Sequence, residues 1–131
     1  MKRFAILIYT DDALMNALPE GEFEEKMRYC LSHADELRQD GQLLDSQMLE
    51  PAATARTLRV RDGRSFVVDG PFTETKEMLA GFNIVEARDI EEAVRMAAEF
   101  PWAATGAIEV REVLPIESMR RRVQAPPAAA I

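Results

Sequence analysis

Cysteine and histidine each occur once in this chain of 131 residues, as Cys30 and His33. A lone cysteine excludes an internal disulfide and fits a reducing compartment. With one histidine beside it, a closed Cys/His zinc site within one chain is excluded as well, which leaves only carboxylate-rich metal sites open, and no metal is assigned. Long apolar runs are also missing, since nothing approaches the ~20 residues that a membrane-spanning helix needs. The start MKRFAILIYTDD holds six apolar residues between Lys2-Arg3 and Asp11-Asp12. That is too short for a signal h-region with a cleavage site, so it reads as a first strand, with no membrane partner and a cytoplasmic location expected.

Basic charge is scarce too. The net charge of −7 argues against non-specific nucleic-acid binding, which needs a basic surface. The charge is uneven. Up to Pro115 there are 13 basic and 22 acidic residues, −9; beyond it Glu117 stands with Arg120, Arg121 and Arg122, +2. No P-loop, dinucleotide fingerprint or nucleophile elbow is present, and no cofactor is expected. What is present is ordinary globular material, 47% hydrophobic and 30% charged, enough for one core.

The apolar periods divide the chain. Residues 3–10, RFAILIYT, are apolar on both faces of a strand, as expected where both faces are covered. Phe23, Met27, Cys30, Ala34 and Leu37 form one stripe on a helix with Glu22, Glu24 and Glu25 in its first turn and Gly41 closing it. QLLDSQMLEP (42–51) reads as a strand ended by Pro51. TARTLRVR and RSFVVDG flank Asp62-Gly63, a strong hairpin signal, with Arg56, Arg59, Arg61 and Arg64 read as its outward basic positions. MLAGFNIVEA (78–87) is another strand. Asp89 and Glu92 cap a helix carrying Ile90, Ala93, Val94, Ala97 and Ala98, Pro101 stops it, and AIEVREVL (107–114) is the last strand. Met27, Met48, Met78 and Met96 are expected core fillers.

The order β-α-β-(ββ)-β-α-β is an α+β fold, a ferredoxin-like split βαβ unit with an inserted β-hairpin. Both helices lie on one face of an antiparallel sheet. The other face is bare, and strand one is apolar on that side as well, so a second copy of the chain is the expected cover, as a homodimer. Residues 1–115 are the expected domain. Residues 116–131, basic and then rich in proline and alanine, are expected to be mobile or to lie over a neighbour.

The stretch Asp69-Gly70-Pro71-Phe72-Thr73-Glu74-Thr75-Lys76-Glu77, followed by Gly81-Phe82, resembles the DGPF motif of YCII-related (YciI-like) proteins. The start MKRFAILIYTDD, the hairpin TLRVRDG, the helix DIEEAVRMAAEFP and the strand AIEVREV resemble that family's pattern too, over roughly residues 1–114. The resemblance implies a dimeric α+β barrel. It also implies two kinds of function: chemistry on small ring compounds with a His–Asp pair in the cleft, or partnership with extracytoplasmic-function sigma factors.

Five side chains are candidates for chemistry. Asp69 stands at the motif aspartate. Read by itself it is a turn former before Gly-Pro; read functionally it is a carboxylate at a strand end, an acid/base for proton transfer. Lys76 either balances Glu74 and Glu77 or orients an anionic substrate, and Thr73 either caps a turn or donates to a ligand oxygen. His33 falls roughly 80° from the centre of the helical stripe at ~100° per residue, a flank position, and is either a boundary residue or a general base. Tyr9 closes strand one as a boundary aromatic or an acid. Phe72 is expected to pack into the core. The expected function is binding of a small anionic or cyclic ligand, or cofactor-free isomerase- or lyase-type proton chemistry, in a cleft between the sheet and the motif loop. The alternative is a non-enzymatic regulatory module working with a sigma factor.

Overall fold

The computed structural model describes residues 1–127; the last four residues of the expected tail lie outside the described residues. Strands β1 (Lys2–Asp11), β2 (Leu43–Met48), β5 (Glu77–Ala87) and β6 (Gly106–Glu112) form one antiparallel sheet in the order β2-β5-β1-β6. That is the order of a split βαβ unit, with β1 and β5 paired at its centre. Helices α2 (Glu22–Gln39) and α3 (Ile90–Ala98) supply the core beside the sheet. The hairpin β3 (Arg56–Arg61) and β4 (Arg64–Asp69) is a separate two-stranded sheet.

Local rules explain the boundaries. Gly41 takes φ +76, and the Gln42 amide donates to the Leu37 carbonyl at 2.9 Å, a Schellman end to α2. Asp89 accepts from the Glu92 amide at 2.9 Å and starts α3. Asp62 (φ +51) and Gly63 (φ +73) both adopt the left-handed region, which a two-residue hairpin turn requires. Two helices were not foreseen. α1 (Asp12–Asn16) begins at Asp11, whose carboxylate accepts from the Ala13 amide at 2.9 Å, and α4 (Ile116–Arg122) occupies the start of the expected tail.

The core sits between the sheet and the helices. Phe4 and Ile6 from β1, Val85 and Ala87 from β5, and Ala93 and Ala97 from α3 are buried. By strand alternation Ala5 and Leu7 face the other way, and Ile84 pairs with Ala5 there; all three are half-buried. The methionine expectation holds for Met96, which is buried, and for Met27, which packs half-buried against the core. Met48 is 72% exposed, and Met27 and Met78 stand on the wall of a cavity.

Candidate functional site

Helix α2 is amphipathic, and its stripe borders both the core and a cavity: Met27, Cys30 and Ala34 pack half-buried against the core on one side. Leu37, at its C-terminal end, is buried against the sheet, whereas Phe23, Met27, Cys30 and Ala34 line a cavity of about 490 Å³. The N-terminal half of the helix therefore overhangs the sheet and forms a wall. The floor comes from β1, β5 and β2. Ile8 pairs with Gly81, and Asn83 pairs with Ser46; all four line the cavity. Gly81 contributes no side chain because a Cβ there would lie 2.7 Å from the Gln47 carbonyl oxygen, and this keeps the floor shallow beside Asn83. Trp102 closes one side, its ring 5.9 Å from that of Phe23, and the turn at Pro51–Ala53 closes another.

Two features give this cavity chemical character. Asn83 is 4% exposed, and its Oδ1 is buried without a hydrogen-bond partner. An unmade hydrogen bond at a buried polar atom costs about 1–3 kcal/mol, and such atoms are few in a native structure. Cys30 is the second. Burial raises its thiol pKa above the ordinary cysteine range, partly offset by a hydrogen bond with Trp102, so the thiolate is scarce at neutral pH.

The residues singled out from the sequence lie elsewhere: none of Asp69, Thr73, Lys76, His33 and Tyr9 lines the cavity. The motif loop is tied to β3. The Gly70 amide donates to the Ala55 carbonyl at 2.6 Å, the Thr57 hydroxyl donates to the Gly70 carbonyl at 2.9 Å, and Arg59 Nη2 donates to the Phe72 carbonyl at 3.2 Å. Gly70, at φ +97, turns the chain where other residues would be strained. Asp69 is solvent-facing and lies 3.8 Å from Arg56. Thr73 and Lys76 are exposed. Phe72, expected in the core, is 72% exposed in a single chain, because the loop folds back on the hairpin and not on the helices.

His33 is placed differently from the flank position read from the stripe. It is buried, its Nε2 lies 3.0 Å from the Met96 carbonyl oxygen, and its ring meets Phe100 edge-on at 4.6 Å. The flank of α2 is covered because α3 docks on that side. No hydrogen bond or ion pair joins His33 to Asp69 among the described residues. Tyr9 lies on the sheet face away from the helices and donates to Glu109 Oε1 at 3.2 Å. Burial first, then that hydrogen bond, raise its pKa above the ordinary tyrosine range. The basic hairpin face also needs correction. Arg56 pairs with Asp69 on one face, and Arg59, Arg61 and Arg64 lie on the other, as strand alternation requires.

The residue missed from the sequence is Asn83. Gly81, Asn83, Val85 and Ala87 share one face of β5. An asparagine inside an otherwise apolar alternation is depleted from strands and seldom buried; that was the signal.

Residues 2–117 match the family model described as YCII-related domain. The chain is also 36% identical over 110 residues to an uncharacterized protein of Rhizobium meliloti (strain 1021), covering 82% of this chain and 89% of the relative.

Proposed function

The chain belongs to the YCII-related domain family, and on that premise we propose that it binds a small molecule in the cavity beneath α2. The carrying observation is that the apolar stripe of α2 from Phe23 to Ala34 borders an open space beside the core. About 490 Å³ is within the ~300–1,000 Å³ usual for small-molecule sites. The wall is apolar and the floor holds an uncommitted amide, the pairing of hydrophobic enclosure and convergent polar atoms that such sites share.

We further propose a homodimer. Leu58 (65% exposed) and its cross-strand partner Val67 (60%) leave the hairpin with apolar surface that a single chain does not cover. Cofactor-free proton chemistry by Asp69, with Lys76 and Thr73 on the ligand, would need a site completed by the second copy, since none of the three lines the cavity beneath α2. A regulatory role, for instance beside a sigma factor, uses the same binding step and differs only in the response that binding sets off.

Trp102 and Cys30 are the only tryptophan and cysteine, and both line the cavity, so the protein carries its own reporters. Uncharged aromatic compounds are expected to change Trp102 fluorescence and to slow alkylation of Cys30 by iodoacetamide, both saturably and at the same concentration. If both signals stay flat across such a series, the binding reading is wrong.

A further inference from the structure

This inference rests on the reading of the cavity as a ligand site and asks what chemistry enters it. Asn83 lines the cavity floor and is 4% exposed. The two ends of its amide are placed differently. Oδ1 is enclosed in the protein without a partner, out of a ligand's reach. Nδ2 makes no hydrogen bond among the described residues either, but it is not enclosed, so it is the end that meets the cavity. Turning the amide over would enclose two N–H donors where one oxygen now lies, and orphaned donors are rarer in native structures than under-used oxygens. Ser46, the partner of Asn83 on β2, lines the same floor, and its hydroxyl can donate as well. Ile6, the partner on β1, has no polar side-chain atom. Nδ2 can only donate, so its complement is an acceptor.

The charge on the walls decides which acceptor. Besides the Cys30 thiol, the ionisable side chains there are Asp12 and Glu50, both exposed residues, and among the described residues no lysine, arginine or histidine lines the cavity. An anion is a strong acceptor, but it would lose its hydration with no cation to meet it and would approach two carboxylates. The expectation of an anionic ligand therefore finds no support in this cavity. An ammonium group brings only donors and would leave Nδ2 unsatisfied. An uncharged oxygen meets neither obstacle.

We propose that the cavity takes a small uncharged molecule, an apolar ring or chain carrying a carbonyl or ether oxygen, with that oxygen accepting from Asn83 Nδ2 beside the Ser46 hydroxyl. Asn83 is the specificity-determining residue. The partner of its donor arrives with the ligand, and the apolar wall of α2 covers the rest of the molecule.

The test uses the full chain and three matched probes: acetophenone, α-methylstyrene, which has the same shape with a CH₂ in place of the oxygen, and benzoate. Binding is followed by the backbone amide resonances of the cavity residues and by the side-chain NH₂ resonances of Asn83. Acetophenone is expected to move those NH₂ protons downfield, and α-methylstyrene to bind without doing so. The two probes differ in their own hydration, so the affinity is read as the ratio of acetophenone to α-methylstyrene, compared between wild type and Asn83→Leu. That ratio should fall roughly tenfold in the variant, the worth of one well-made buried hydrogen bond. Benzoate is expected to bind weakest. An unchanged ratio in Asn83→Leu, or NH₂ resonances that respond alike to both neutral probes, overturns the acceptor assignment while the cavity reading stands. The resonances are read in the wild type, so the assignment is tested even if Asn83→Leu does not fold. Benzoate binding as tightly as acetophenone overturns the uncharged class. Silence from all three probes, α-methylstyrene included, overturns the cavity reading itself and this inference with it.

Discussion

His33 Nε2 lies 3.0 Å from the Met96 carbonyl oxygen, so the chain's only histidine ties α2 to α3. A carbonyl only accepts, which assigns the Nε2 proton to this bond. The ring also meets Phe100 edge-on. Replacing His33 by alanine removes the bond, leaves a buried carbonyl without this partner and opens a cavity. We expect a loss of about 2–3 kcal/mol in denaturant unfolding, with Trp102-reported ligand binding retained by the folded fraction. A variant of wild-type stability that no longer binds would instead place His33 in the site.

Tyr9 carries a pH signature. Its folded-state pKa is raised, by burial first and by Glu109 second. Raising the pKa of an acid above its unfolded value favours the protonated form in the folded state. The stability this brings is full below the unfolded value of about 10 and is lost as pH rises through the folded one. Unfolding free energy should therefore fall more steeply above about pH 10 in the wild type than in Tyr9→Phe. Parallel curves for the two proteins would show that the hydrogen bond to Glu109 does not persist in solution.

The hairpin predicts association. Leu58 and Val67 face the same side as a cross-strand pair and are both largely exposed. The double change Leu58→Glu and Val67→Glu places like charges on that surface without touching the core. Sedimentation should convert from dimer to monomer, with far-ultraviolet circular dichroism unchanged. A wild-type chain that sediments as a monomer at micromolar concentration would refute the association.

Gly106 predicts intolerance. A Cβ at this position would overlap the carbonyl oxygen of Tyr9 and press on the Thr10 Cα at 2.9 Å, where β6 meets β1. Both obstacles are backbone and cannot rotate away. Gly106→Ala should destabilise by about 2–4 kcal/mol, and a stability within experimental error of wild type would mean that the two strands part freely at this end.

The alternation in LRVRDGRSFVV, the helical stripe of EFEEKMRYCLSHADEL and the cap at Asp89 are local properties. They were legible in the sequence because side-chain period and turn chemistry depend only on neighbours along the chain. The nine-residue motif from Asp69 to Glu77 was legible as a family marker for the same reason. The position of Arg56 was legible in principle, since alternation alone puts it opposite Arg59.

His33 was not legible in this way. A helix flank is buried or bare according to where a second helix docks, and α3 is more than fifty residues away in sequence. The stripe of α2 could not reveal whether it packs or overhangs, because apolar residues line a cavity with the same period that they use to fill a core. Residue order was enough for the six strands, for α2 and α3, for their succession and for the family, though not for α1 and α4. It took the folded chain to show that Phe23, Met27 and Cys30 enclose a space, that Asn83 stands at its floor with an uncommitted amide, and that Asp69 lies outside it. Each of these depends on the distance between surfaces brought together only by folding.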